Sequence, residues 1–84
     1  MKIDMSQGHP QIDAQDLGRL LGLPPKEVQA KMRAGDITSR YETGEGEDAG
    51  RFRLTFYYNA HRLRLTCAED GEVLSTIRVP QGRP

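Results

Sequence analysis

The chain of 84 residues has few of the side chains that carry metal, redox or nucleophilic chemistry. It contains no tryptophan, two histidines and a single cysteine. One cysteine excludes an intrachain disulfide, and the position of Cys67 in an alternating apolar segment predicts a small buried side chain. His9, His61 and Cys67 lack the short spacing of a metal site. We therefore expect no enzymatic activity, no bound metal and no cofactor.

Net charge and long hydrophobic runs are also absent. Twelve Lys and Arg balance 12 Asp and Glu, so the formal net charge is zero. Proteins that bind nucleic acid through bulk charge are usually strongly basic, so only a local basic patch could serve that purpose here. No apolar run is long enough for a membrane span or a signal peptide. The sequence thus predicts one small domain in a reducing, cytoplasmic setting, without membrane association.

The strongest pattern in the chain is a series of three strands over residues 51–79. From residue 51 to residue 58 apolar and polar side chains alternate strictly, which is typical of a half-buried strand. Asn59 and Ala60 then predict a two-residue turn that sets Phe56 against Leu63. A slip of one residue would place leucines among arginines, so the apolar pattern favours this register.

The register of the third strand depends on the loop at residues 69–71. A two-residue turn would place Ile77 and Val79 on the polar face. A three-residue loop, with Gly71 in the left-handed conformation, sets Leu63 against Ile77 and keeps the apolar residues in the core. We favour the three-residue loop for that reason.

The polar face of these strands is rich in arginine. The expected registers place five arginines on it, which are Arg51, Arg53, Arg62, Arg64 and Arg78. Arg62 lies roughly across from Arg78 in this arrangement, and opposed like charges cost up to about 1 kcal/mol. An external anion or an acidic side chain would relieve the repulsion. Glu42 is a candidate partner for Arg51 or Arg53, and together with the acidic loop at residues 43–50 it would neutralise the arginines from within the chain. We predict an anion-binding or partner-binding surface formed by Arg53, Arg62, Arg64, Arg78 and Tyr57.

The N-terminal part predicts a short hairpin at residues 1–12 and a helical hairpin at residues 13–35. Asp13 suits the N-cap of the first helix, and Gly22 and Gly35 suit the ends of the two helices. Val28 and Met32 are expected to face inward from the second helix. The glycines of residues 43–50 lack phosphate-loop spacing.

These elements together predict an α+β fold. Two short helices pack on one face of an antiparallel β-meander of about four strands, and the N-terminal hairpin extends the sheet. The strands are expected at residues 37–43, 51–58, 61–67 and 72–79, followed by a frayed tail at residues 80–84.

A second interpretation concerns the two helices. The segment from Ala14 to Leu23, followed by the second helix and by the run from Arg33 to Ile37, resembles the small helix-turn-helix domains of excisionase and MerR-type regulators. The resemblance implies that helix 25–34 would enter the major groove of DNA, with the run from Gly50 to Leu54 in the place of their wing. The DNA-contacting side chains would be Lys26, Gln29, Lys31 and Arg33.

Two features depart from the pattern of those regulators. Pro24 and Pro25 stand where they usually carry an N-cap donor, and a net charge of zero gives little non-specific affinity for DNA. A helical hairpin that only covers the apolar face of the sheet is the alternative.

A broader resemblance covers most of the chain. The runs from Met32 to Arg40 and from Gly44 to Phe56 look like a family of small bacterial proteins of unknown function. It implies a shared fold and no known activity, and it supplies no binding residues.

The leading functional hypothesis is a non-enzymatic interaction module that uses the arginine-rich sheet face or an exposed strand edge. The alternative is a DNA-binding regulator that uses helix 25–34. The partner is unidentified: a homodimer or another protein is favoured over nucleic acid.

Overall fold

The computed structural model describes residues 1–80, apart from the side chain of Asp48. It contains two helices, α1 (Ala14–Leu21) and α2 (Pro25–Ala34). Four strands follow, namely β1 (Ile37–Thr43), β2 (Arg51–Tyr58), β3 (His61–Ala68) and β4 (Val73–Pro80). The strands form one antiparallel sheet in the order β1-β2-β3-β4, with a short 3-10 helix at Gly46–Asp48 before β2. The predicted α+β meander is confirmed, and of the expected frayed tail all but Pro80 lies outside the described residues.

The helix ends follow from their capping residues. The side chain of Asp13 accepts a hydrogen bond of 2.6 Å from the backbone N–H of Gln15, which satisfies one of the unpaired donors of α1. Gly22 and Gly35 end the two helices in the left-handed conformation, with φ values of 76° and 84°. Helix α2 begins at Pro25 without a side-chain cap. No helix in the described part of the chain is long and apolar enough to cross a membrane.

The helices and the N-terminal segment cover one face of the sheet, which we call the inner face. The buried apolar side chains of this layer are Ile3, Leu17, Leu21, Val28, Ile37, Phe52, Leu54, Phe56, Leu63, Leu65 and Cys67. Met32 was expected among them, but it is 40% exposed and lies at the rim of a groove beside Val28.

The N-terminal residues join the sheet at the edge formed by β4. Asp4 pairs with Gln11, as the predicted short hairpin requires. The backbone N–H of Ile3 donates to the carbonyl oxygen of Gly71 at 2.7 Å. The N–H of Val73 donates to the carbonyl oxygen of Met1 at 3.0 Å. A backbone segment from the start of the chain thereby pairs with the start of β4.

The β2–β3 hairpin has the predicted register. Phe56 is opposite Leu63, and the turn residues Asn59 and Ala60 both have positive φ, at 51° and 62°. Two central residues with positive φ match the right-handed twist of the flanking strands.

The predicted register of β4 is wrong beyond its first residue. The three-residue loop is present, with Gly71 at a φ of 97°. However, Leu74 has no partner on β3, and this bulge shifts the rest of β4 by one position. Leu63 therefore faces Arg78, and Ile77 and Val79 lie on the opposite face from the core.

Candidate functional site

The face of the sheet that points away from the helices, called the outer face, has three regular cross-strand rows. The registers define them as Thr38–Tyr57–Arg62–Val79, Arg40–Thr55–Arg64–Ile77 and Glu42–Arg53–Thr66–Ser75. Arg51 is opposite Ala68 on the same face. The outer face thus mixes arginines with small polar residues, and its β4 margin is aliphatic.

Five arginines lie on the outer face, and we call them the arginine face: Arg40, Arg51, Arg53, Arg62 and Arg64. Three of these side chains are half-buried, namely Arg53, Arg62 and Arg64. Long arginine stems pack against the sheet while the charged ends stay near water. Thr55 is only 1% exposed although it lies on this face, which is consistent with cover from its neighbours.

Glu42 does not neutralise the arginines that it was expected to meet. It is the cross-strand neighbour of Arg53, but its carboxylate is paired with Arg40, with 3.7 Å between Oε2 and Nε. Among the described side chains, no salt bridge joins a carboxylate to any of the other four arginines. With one glutamate among five arginines, the outer face carries a formal charge of +4.

Two polar atoms at the centre of the face have no hydrogen-bond partner among the described residues. They are Oγ1 of Thr55 and Nε of Arg64, which belong to one directly opposed pair. The backbone N–H and C=O groups of Thr55 are directed toward β1, so Thr55 and Arg64 form a non-hydrogen-bonded pair between β2 and β3. Side chains are closest together in pairs of this kind. A buried polar atom without a partner costs about 1–3 kcal/mol. The centre of the arginine face therefore contains two polar atoms that could still form hydrogen bonds.

A small depression of about 140 Å³ lies at one end of the arginine face. It is lined by Gly44, Arg51, Phe52, Arg53 and Thr66. Two guanidinium groups beside a concave surface suit a carboxylate, which arginine can bind through two parallel hydrogen bonds.

Arg78 was predicted to belong to this surface, and that placement is wrong. The bulge in β4 turns Arg78 to the inner face, where its Nη1 donates to the backbone carbonyl oxygen of Leu20 at 2.9 Å. Leu20 lies in the last turn of α1, where backbone carbonyls lack helical partners and a positive charge is favourable. Arg78 therefore links β4 to α1, and Arg62 is opposite Val79 instead.

The other predicted residues of the anion-binding or partner-binding surface lie close together on the outer face. Tyr57 and Arg62 are directly opposed, Arg64 is in the next row, and Arg53 is in the third. Arg40 was not predicted as a member of the surface. The alternation in β1 already put Arg40 on one side with Glu42, but only the pairing with β2 shows that this side is the arginine face.

The four residues proposed to contact DNA do not form one surface. Lys26, Gln29 and Arg33 are exposed on α2 at spacings of three and four residues, which puts them on one side of the helix. Lys31 is turned toward the sheet, with its Nζ 5.6 Å from the centre of the Tyr58 ring. This distance is that of a cation–π contact.

The histidines and the cysteine lie apart from the arginine face. Nδ1 of His61 is 3.0 Å from the carbonyl oxygen of Asn59, and the ring of His9 contacts the side chain of Gln11. Cys67 is fully buried, and this burial raises the pKa of its thiol to about 11. In residues 1–80 no group of three His, Cys, Asp or Glu side chains is placed to hold a metal ion.

Fold and surface define a small α+β protein with a helical hairpin on one side of a four-stranded meander and an arginine face on the other. Residues 1–84 match the model of a family described as "Family of unknown function (DUF6522)", and the chain belongs to that family. Searches of curated proteins and of solved structures found no match. The local resemblance to excisionase and MerR-type domains thus gains no support from these comparisons.

Proposed function

We propose that this protein is a non-enzymatic binding module whose arginine face binds an acidic surface of another protein. The observation that carries the proposal is the formal charge of +4 on the outer face, where four of the five arginines have no carboxylate partner among the described side chains. Arginine is enriched at protein interfaces because its planar group binds carboxylates in a defined geometry.

A protein partner fits this surface better than nucleic acid does. Ile77 and Val79 lie beside the arginines, and Ile77 is 50% exposed, so the face offers aliphatic contacts next to its charges. Tyr57 is the one aromatic residue in the three rows of the outer face, whereas single-strand binding relies on several stacking rings. The zero net charge also gives no general attraction to polyanions.

The size of the face indicates a transient complex. Four strands about 4.8 Å apart, of seven or eight residues at about 3.3 Å each, give roughly 500 Å² of surface. A stable interface usually uses about 800 Å² on each partner. Affinity should therefore be modest and should fall as salt screens the exposed charges.

A labelled peptide of alternating glutamate and leucine tests the proposal. A length of about eight residues spans the sheet when the peptide is extended. Fluorescence anisotropy should show micromolar binding at about 20 mM salt and at least tenfold weaker binding at about 300 mM salt. A peptide of alternating lysine and leucine should not bind.

Variants locate the binding surface. The double variant Arg53→Gln/Arg64→Gln should weaken peptide binding at least tenfold, because it removes half of the formal charge of the face. The matched control Lys26→Gln/Arg33→Gln removes the same charge from α2 and should leave binding unchanged. Absence of binding at low salt, or equal loss in both double variants, would refute the proposal.

DNA binding through α2 is the competing function, and the exposed set Lys26, Gln29 and Arg33 is the observation that favours it. A gel-shift titration with random duplex DNA at low salt distinguishes the two functions, since non-specific binding appears by about 10–100 µM. A shift that Lys26→Gln/Arg33→Gln abolishes and Arg53→Gln/Arg64→Gln preserves would favour the DNA-binding function.

A further inference from the structure

Strand β1 has an unpaired edge whose bonding groups can be assigned. The N–H of Gly44 donates to the carbonyl oxygen of Arg51 at 2.9 Å, which continues the β1–β2 register by one pair. Hydrogen-bonded and non-bonded pairs alternate in an antiparallel ladder. The even-numbered residues of β1 therefore bond to β2, while the odd-numbered residues direct their N–H and C=O groups outward.

Nothing in the described part of the chain occupies this edge. No backbone or side-chain hydrogen bond from outside the sheet reaches Ser39, Tyr41 or Thr43. The opposite edge differs, because residues 1–3 pair with the start of β4 and Pro80 ends that strand without an N–H donor. Among the described residues, β1 is thus the edge without such pairing along its whole length, whereas β4 is covered only at its start.

Charges on β1 distinguish between the registers that a second copy could adopt. In an antiparallel pair of β1 strands, the outward-directed residues must face one another, so odd-numbered residues pair with odd-numbered residues. A two-fold axis that passes through residue 40, 41 or 42 satisfies this condition. An axis at Arg40 opposes two arginines, and an axis at Glu42 opposes two glutamates, which is unfavourable in both cases. An axis at Tyr41 sets each Arg40 against Glu42 of the partner subunit.

The register centred on Tyr41 also places the opposite charges of the two subunits close to each other. Arg40 and Glu42 of the partner subunit would form a non-hydrogen-bonded pair, the kind in which opposed side chains are closest. Arg40 and Glu42 already contact within one chain, at 3.7 Å, so two copies would complete a ring of four alternating charges. The edge of β1 is therefore self-complementary.

Tyr41 supplies apolar surface at the same place. It is 47% exposed on the inner face, with its ring 5.6 Å from that of Phe52 in an edge-to-face contact. In the register centred on Tyr41, the two tyrosines stand opposite each other and shield one another from water. Aromatic cross-strand pairs contribute favourably in antiparallel sheets.

We propose that two copies of this protein associate through their β1 strands, antiparallel and centred on Tyr41. The product is a continuous sheet of eight strands with ten arginines on one outer face. Seven-residue strands give a small interface, so the dimer forms at micromolar or higher concentration. Dimerisation through the edge of β1 does not depend on what the arginine face binds.

Charge exchange at the edge tests the register. In sedimentation velocity from about 5 µM to about 500 µM, the wild type should shift from monomer to dimer. Glu42→Arg alone and Arg40→Glu alone should each weaken dimerisation at least tenfold, because each opposes like charges across the axis. The double variant Arg40→Glu/Glu42→Arg restores both pairs and should restore dimerisation.

Two controls separate this result from a folding defect or a general charge effect. Glu72→Arg, an equal charge change at an exposed position on the opposite edge of the sheet, should dimerise like the wild type. Circular dichroism should show the same fold for every variant. A monomeric wild type at the highest concentration, or a double variant that stays monomeric while folded, would overturn the proposal.

Nuclear magnetic resonance provides a test that needs no variant. Amide shifts that change with concentration should concentrate in β1, most strongly at Ser39, Tyr41 and Thr43, whose N–H groups become bonded. Shifts confined to α2 or to β4 would instead place the contact elsewhere and contradict the proposal. The variant Arg53→Gln/Arg64→Gln should dimerise normally, so failure of peptide binding and failure of dimerisation remain distinguishable.

Discussion

Cys67 shows how a single buried side chain sets a pH dependence. Burial raises the pKa of its thiol from 9.0 to about 11, because the thiolate is poorly solvated in the core. Below pH 9 the thiol is protonated in both folded and unfolded chains. Above that pH the unfolded chain loses the proton first, so the free energy of unfolding falls as pH rises toward 11.

The comparison with Cys67→Ala isolates this effect from other titrating groups. The wild type should exceed the variant in stability by a constant amount below pH 9, and the difference should shrink from pH 9 toward 11. Urea unfolding at a series of pH values measures it. Parallel stability curves for the two proteins would show that the thiol does not contribute.

Gly18 is a second residue whose surroundings reverse an ordinary expectation. Replacing glycine by alanine within a helix usually stabilises it by about 1 kcal/mol. Gly18 is buried where α1 meets the turn to α2, and an added Cβ would collide with the backbone carbonyl oxygen of Leu23. Gly18→Ala should therefore destabilise the protein by about 1–3 kcal/mol.

Urea denaturation checks the sign of this change. Gln15→Ala, at an exposed position of the same helix, is the matched control and should be neutral or slightly stabilising. A stabilised Gly18→Ala variant would mean that the helices can move apart without cost.

At the scale of elements, the connection between β4 and α1 depends on one arginine. Arg78 donates from Nη1 to the carbonyl oxygen of Leu20 at 2.9 Å. Because the group is solvent-exposed, Arg78→Ala should cost only about 1 kcal/mol of unfolding free energy. Arg33→Ala, which removes an exposed arginine from α2, should change stability by less than about 0.5 kcal/mol.

The same pair of variants tests the bulge in β4. In the register without the bulge, Arg78 would oppose Arg62, and its removal would relieve repulsion and stabilise the protein. A loss of stability in Arg78→Ala is thus expected only if Leu74 is the extra residue. A gain would refute the shifted register.

At the scale of the whole molecule, the N-terminal segment belongs to the core. Ile3 is 1% exposed, and its backbone is bonded to Gly71. Ile3→Ala should cost about 2–4 kcal/mol, a large part of the stability of a domain of this size. Lys2→Ala, at the exposed neighbouring position, should cost much less.

The shape of the unfolding transition checks whether the segment folds together with the sheet. For Ile3→Ala the urea midpoint should fall while the slope stays constant, and fluorescence and circular dichroism should report the same transition. A smaller slope, or separate transitions from the two probes, would show that unfolding is not a single transition of the whole chain.

The distribution of charge is also a property of the whole molecule. A chain of zero net charge carries a formal +4 on one face, because its acidic residues lie mainly on the helices and loops. Such separation would orient the proposed acidic partner without attracting every polyanion. If the chain dimerises through β1, two such faces would lie side by side, which favours partners that offer more than one acidic segment.

Much of the architecture was determined by local sequence signals. Alternation in residues 51–58 and the turn at Asn59 and Ala60 defined the β2–β3 register, because turn geometry and side-chain period act over a few neighbouring residues. Asp13, Gly22 and Gly35 marked the helix ends for the same reason. Four of the five arginines of the outer face followed from the strand pattern alone.

Only the tertiary structure decided the placement of Arg78, Ile77 and Arg40. The bulge at Leu74 coincides with the pairing of residues 1–3 with the start of β4 and with a bond from Arg78 to α1, contacts between parts far apart in the chain. Arg40 joined the arginine face through the pairing of β1 with β2. Long-range pairing of this kind leaves no periodic signal in the residues concerned. The sequence therefore determined which strands exist and which side of β2 and β3 meets the core, and the folded chain decided the sides of β1 and β4.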